Sequence, residues 1–223
     1  LDGCHADRMK RVVLLGVPGA KRTVYLKKAA RQAGICVSLV SWEEWRQNGF
    51  HNVPFSEDMF LKCDPPGWDC CMLKELGALT GNYRKQLEKL SQVPASAFLN
   101  PPHRIAALLD KRRCKERLSA AGLPVTEEIQ GTVSSAQELL QQMRACGLHQ
   151  VFIKPVYGSG AAGVAAFRYR PRTGNMVLYT CAYIDPASKE LVNTKRLRRF
   201  DNPSQILLLL DAILSMDCIV ERW

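Results

Sequence analysis

At 223 residues the chain is long enough to bury a core, and its length admits one large domain or two small ones. Hydrophobic residues at 47% and charged residues at 23% lie in the ordinary globular range, which excludes a disordered chain or a fibre. The formal charge of +10 raises the question of a polyanionic partner, whereas the longest apolar run, Ile206 to Leu214, is interrupted by Asp211 and falls far short of the roughly 20 residues a membrane span needs.

Leu1 to Arg8 carry charge and a histidine without an apolar stretch, so they read as an arm or upstream extension rather than a secretory signal, and Met9 opens the patterned chain. The 9 cysteines include no Cys-x-x-Cys pair, and only Cys70 and Cys71 are close neighbours, which points to reduced, mostly buried thiols in a cytoplasmic protein. Arg11 to Gly16 is a short Val- and Leu-rich run closed by Gly16, Pro18 and Gly19, as expected of a strand buried on both faces. Helical spacing follows from Ala20 to Gln32 with Gly34 as its stop, and Cys36 to Val40 reads as the next strand. Strand, helix and strand make a βαβ unit, whose right-handed crossover implies a parallel sheet. The turn at Gly16 to Gly19 matches neither the dinucleotide nor the Walker glycine pattern and is read as a plain strand-to-helix turn. From Glu43 to Pro66 the pattern is irregular, and Asp64 before Pro65-Pro66-Gly67 reads as a turn-capping residue, with a substrate contact as the alternative. Helices from Asp69 to Leu79 and from Tyr83 to Leu90 are expected to close this first domain.

After Asn100-Pro101-Pro102 a long helix is expected from Arg104 to Ala120, with Ile105, Leu108, Leu109 and Leu118 on one face, Gly122 as its stop and Pro124 beyond. A second begins at Ser134, paired with Gln137 in a capping box, and ends at Gly147. Strands are expected at Val151 to Val156, Val164 to Tyr169, Val177 to Tyr183 and Leu191 to Lys195, then an amphipathic helix from Asn202 to Leu214 and a last strand from Cys218 to Trp223. Basic residues gather at Lys111 to Arg117 and at Lys195 to Arg199, with Arg168, Arg170 and Arg172 upstream; Arg112, Arg113, Lys115 and Arg117 read as a solvated helix face.

Three segments in order carry chemistry: Asp110-Lys111 on a helix leading to Gly122-Leu123-Pro124-Val125, then Phe152-Ile153-Lys154-Pro155, then Gly158-Ser159-Gly160-Ala161-Ala162-Gly163. A glycine-rich loop between antiparallel strands has no side chains between its amides and a ligand, so several N–H groups can approach phosphate oxygens together. The ordered set resembles the ATP-grasp superfamily over about Asn100 to Trp223, with the D-alanine ligase type as the comparison for the Asp-Lys helix.

The resemblance implies a fold in the α/β class: a small parallel-sheet, Rossmann-like lead-in domain over residues 9–99, a helical link over 100–150, and an antiparallel α+β lid over 151–223. It implies that Lys154 and Lys111 meet the phosphates of ATP, that Gly158, Ser159, Gly160 and Gly163 close over them, and that Glu221, Arg222 and Trp223 form the hinge strand whose backbone bonds the adenine edge. Trp223 stacks near the adenine on this reading, or sits in the core on the plain one. In that superfamily two Mg²⁺ ions are held by acidic and Asn side chains well after the hinge strand, which here means beyond Trp223; the chain then covers nucleotide capture and is not expected to turn over alone. The implied activity is that of an ATP-dependent carboxylate–amine or carboxylate–thiol ligase, acting on a small-molecule or peptide carboxylate, with a second copy of the chain as a possible partner. A non-catalytic nucleotide- or polyanion-binding module, or a basic nucleic-acid-binding protein, is the alternative that the charge leaves open.

Overall fold

The computed structural model describes residues 11–50, 59–67, 72–93 and 97–223. The chain divides into two compact units, Leu1–Trp68 with Asn82–Ala106, and Asp69–Gly81 with Ala107–Trp223.

The first unit is built on a parallel sheet of β1 (Arg11–Gly16), β2 (Cys36–Ser41), β3 (Met59–Cys63) and β4 (Ala97–Phe98), in the order β2-β1-β3-β4. Val13, Leu14 and Leu15 are fully buried, as a strand covered on both faces requires. Helix α1 (Lys21–Gln32) makes the crossover from β1 to β2, so the βαβ unit is where its sequence placed it. The irregular stretch holds two elements that the sequence pattern concealed. Helix α2 (Trp42–Asn48) starts on a capping box in which Ser41 accepts from the Glu44 amide and Glu44 accepts from the Ser41 amide. Its Trp42 and Trp45 are buried and meet edge to face at 5.6 Å, and Trp42 meets Tyr83 in the same way at 5.5 Å. Strand β3 then alternates, with Met59, Leu61 and Cys63 buried. The two helices expected between 69 and 90 are one, α3 (Leu76–Leu90), which runs through Gly81 and Asn82 and is preceded by a short 3-10 turn at Leu73–Glu75; residues 69–71 lie outside the described residues.

The long helix expected from Arg104 to Ala120 is broken into α4 (Pro102–Leu108) and α5 (Lys111–Ala120). Asp110 is the cause. Its backbone is extended and its carboxylate accepts from the Arg113 amide at 3.1 Å, so it starts a new helix rather than continuing the old one. Helix α6 (Ala136–Ala145) is capped one residue later than expected, by Ser135 accepting from Glu138.

The second unit carries an antiparallel sheet of β5 (Gln150–Pro155), β6 (Ala165–Arg170), β7 (Asn175–Ile184), β8 (Leu191–Phe200) and β9 (Cys218–Arg222), in the order β8-β7-β6-β5-β9. Helices α6 and α7 (Pro203–Leu214) cover one face. There Leu139, Met143, Val151, Ile153, Phe167, Leu178 and Leu210 are completely buried, each large aliphatic side chain contributing about 1.5 to 3 kcal/mol. β8 is twice as long as expected because it bulges: Asn193 pairs with Ala182 and Arg198 with Thr180, so residues 194–197 stand opposite Cys181 alone. No helix among the described residues is long and apolar enough to cross a membrane.

Candidate functional site

The other face of the antiparallel sheet is open, and the two-residue period of β5 decides what stands on it. Val151, Ile153 and Pro155 point into the core, so Phe152 and Lys154 point out. Register extends the row: Glu221 on β9, Phe152 on β5, Ala166 on β6 and Tyr179 on β7 stand side by side. Of these, Phe152, Ala166 and Tyr179, together with Val164, Leu197 and Trp223, surround a mostly apolar cavity of about 410 Å³, which the glycine loop reaches through Ala161. Trp223 is 43% exposed, lies 5.0 Å from the Phe152 ring, and carries the Arg168 guanidinium 4.3 Å above its own ring. The core alternative for Trp223 is thereby set aside, since the ring stands on the open face.

Lys154 stands on this face of β5, as Arg168 does on β6. Its ammonium pairs with the buried Glu221 carboxylate and sits 5.6 Å from the centre of the Phe152 ring. Glu221 is shared: Lys115 donates to it at 3.1 Å and to Glu128 at 3.2 Å. Burial alone would raise the Glu221 carboxyl, but hydrogen bonds from Lys154 and Lys115 outweigh it and hold the group below its ordinary value. Lys115 was read as part of a solvated helix face; at 13% side-chain exposure it is a bridge between two carboxylates instead. Arg112, from the same run, donates to Asp217 at 3.0 Å and to the Cys218 carbonyl. The signal for both lies three-dimensionally, in β9, and no local pattern around residue 112 or 115 carries it.

The loop between β5 and β6 has the backbone its glycines imply. Gly158, Gly160 and Gly163 have φ of +100°, +63° and +68°, and Ala161 joins them at +62°. A Cβ on Gly163 would lie 2.8 Å from Pro155 Cγ, so only glycine fits there. The exit of the loop is tied down: the Gly163 amide donates to Asn193 Oδ1 at 3.2 Å, and Thr180 donates to the Val164 carbonyl at 2.8 Å. The amides of Gly158, Ser159, Gly160 and Ala161 make no hydrogen bond to another described residue. A row of unpaired N–H groups beside an apolar cavity and a lysine is a donor set that fits a nucleotide: phosphates for the amides and the ammonium, a base for the cavity.

Not every expected residue joins this set. The Lys111 ammonium is placed on three backbone carbonyls, those of Pro155, Val156 and Gly158, rather than toward open space. Burial, with the nearby charge of Lys154, lowers its pKa from the ordinary value. Arg222 alternates to the helix-covered side of the sheet, where it pairs with Glu127 at 2.9 Å. Its backbone N–H donates to the Glu127 carbonyl, and the Val220 carbonyl accepts from Ile129, so these hinge-strand groups are already bonded within the chain. The basic cluster on β8 is likewise engaged locally: Arg198 lies 4.3 Å over the Tyr183 ring and Arg199 pairs with Asp201 at 2.7 Å. Among the described residues, no three His, Cys, Asp or Glu side chains gather as metal ligands, and Glu128 and Glu221 pair with lysines.

In the first unit Asp64 follows β3 at the carboxyl edge of the parallel sheet. It is buried, one carboxylate oxygen pairs with Lys62, and the other has no hydrogen-bond partner. Its carbonyl accepts from the Trp42 indole at 2.9 Å.

No protein-family model matches the sequence, and no curated protein matches it. Solved structures do match in fold. D-cycloserine synthetase DcsG aligns with 96% of this chain and 59% of its own at a TM-score of 0.53 and 15% identity. N5-carboxyaminoimidazole synthase from Aspergillus clavatus, in complex with ADP and 5-aminoimidazole ribonucleotide, aligns with 96% of this chain and 46% of its own at 0.53 and 14%. The ATP-grasp ligase PsnB, complexed with precursor peptide PsnA2 and AMPPNP, aligns with 96% and 65% at 0.50 and 13%. The chain therefore shares its fold, a parallel α/β unit and an antiparallel α+β unit, with part of these proteins, one of them an ATP-grasp ligase, and spans about half to two thirds of their length.

Proposed function

We propose that the chain is the nucleotide-capturing portion of an ATP-dependent ligase that joins a carboxylate to an amine or a thiol. One observation supports the reading: Lys154 stands beside Phe152, Phe152 and Trp223 line an apolar cavity on the open face of the sheet, and Ala161 brings to that cavity a loop whose Gly158–Ala161 amides are unpaired. When bound, ATP supplies the phosphoryl group that activates the substrate carboxylate for attack by the amine or thiol, with loss of phosphate. What this chain's residues do is hold and orient. The loop amides and the Lys154 ammonium meet the phosphates, and the cavity excludes water from the base. Glu221 keeps Lys154 aligned with the sheet, while Lys115 balances the second charge of the cluster.

In this reading residues 9–99 are the lead-in domain, 100–150 the helical link and 151–223 the lid. The carboxylate substrate is a small molecule or a peptide; the similar proteins include one solved with a nucleotide-like small molecule and one with a precursor peptide. The test is titration of the chain with AMPPNP while backbone amide resonances are followed. Shifts concentrated at Gly158–Ala161 and around Phe152 are expected; no binding at millimolar nucleotide, or shifts confined to the β8 arginines, would defeat the assignment.

A further inference from the structure

An ammonium has three protons to donate. Those of Lys111 face three acceptors: Nζ lies 2.8 Å from the carbonyl oxygens of Pro155 and of Gly158 and 3.4 Å from that of Val156. Its own backbone N–H also donates to the Val156 carbonyl, at 3.1 Å. Held this way, the side chain has no proton left for a phosphate.

We infer that Lys111 is a positioning residue, which clamps the entry of the glycine loop from the first turn of α5 and so aims the loop's amides. The planar peptide link transmits the effect. In a trans peptide the carbonyl and the following N–H point in opposite directions, so drawing the Gly158 oxygen to Lys111 turns the Ser159 N–H away from it. The entry is therefore tied by Lys111, the exit by Asn193 and Thr180, and the unpaired amides of Gly158–Ala161 are suspended between the two ties. A half-buried ammonium is costly unless its protons are accepted, and three converging carbonyl dipoles accept them. The role of the aimed amides rests on the nucleotide reading, but the clamp itself precedes any nucleotide.

The 223-residue chain is used without nucleotide. Amide hydrogen exchange is compared between the wild type and Lys111→Met, and about tenfold faster exchange is expected at Val156, Gly163 and Val164, with β7 amides unchanged. Unaltered exchange at those three positions, combined with a loss of AMPPNP affinity, is the pattern of a phosphate contact and would overturn the inference. Should Lys111→Met loosen β7 as well, the wild type decides by ¹⁵N spectroscopy of the Lys111 ammonium. A slowly exchanging, resolved signal supports the clamp, and exchange as fast as that of solvent-exposed lysines refutes it. Failure of the wild type to bind AMPPNP would instead remove the nucleotide reading and leave the clamp result standing.

Discussion

Replacing Lys154 with methionine keeps the stem of the side chain against Phe152 and deletes only the ammonium. A charge-assisted hydrogen bond contributes about 1.5 to 3 kcal/mol, which at about 1.4 kcal/mol per tenfold corresponds to roughly a 10- to 150-fold weaker Kd for a nucleotide triphosphate. The Lys154 side chain is 31% exposed, so solvent screens part of the interaction and the lower end, about 10- to 30-fold, is the expected outcome. Glu221 retains Lys115 in the variant, so its carboxylate is not left unpaired and the sheet should keep most of its stability. Calorimetry with Mg²⁺-AMPPNP and, separately, with adenosine isolates the phosphate contribution: the first affinity should fall and the second should stay. Equal losses for both ligands would mean that Lys154 acts through the cavity wall, and unchanged affinity for both would remove it from the site.

The Gly163→Ala variant should be destabilised by about 1 to 3 kcal/mol and weaken nucleotide binding, because its Cβ meets Pro155 at 2.8 Å and its φ is positive; Gly160→Ala, whose Cβ meets open space, should lose only about 1 kcal/mol, and denaturant unfolding of the pair compares them. Glu221→Leu leaves Lys115 with Glu128 and Lys154 partly in solvent, and loss of the two charged hydrogen bonds should cost about 1.5 to 3 kcal/mol, read from the urea midpoint. The folded-state pKa of Glu221 is lowered, so its contribution to stability is complete above its ordinary value of 4.5 and is lost as pH falls through the folded value; the wild-type thermal midpoint should drop in that window more steeply than that of Glu221→Gln. Burial pushes the Cys63 and Cys218 thiols up to about 12, so iodoacetamide at pH 8 should label the exposed Cys36 and Cys146 ahead of those two, as peptide mapping would reveal; rapid labelling of Cys218 would contradict its burial under α7.

Local pattern was sufficient for the elements whose periods are unmixed. The apolar run at Arg11–Gly16, the βαβ unit it opens, the antiparallel strands from Gln150 onward and the positive-φ glycine loop were all legible, because burial on one or two faces and the need for φ above zero leave direct marks on composition. The outward-facing lysine on β5 was legible too, since the two-residue alternation that buries Val151 and Ile153 leaves Lys154 on the other face. Helix α2 was hidden although its Ser41–Glu44 capping box is written in the sequence, because seven residues make barely two turns and two tryptophans among charges give too few repeats of the helical period to stand out. What the tertiary structure alone decided is where each cation's protons go. Lys111 and Lys115 are one helical turn apart on α5 and alike in sequence, yet one meets the carbonyls that follow β5 and the other a carboxylate on β9. Those acceptors come from segments about 40 to more than 100 residues away, and a charge's partner is set by which strands the sheet brings beside it, not by the residues next to it in the chain.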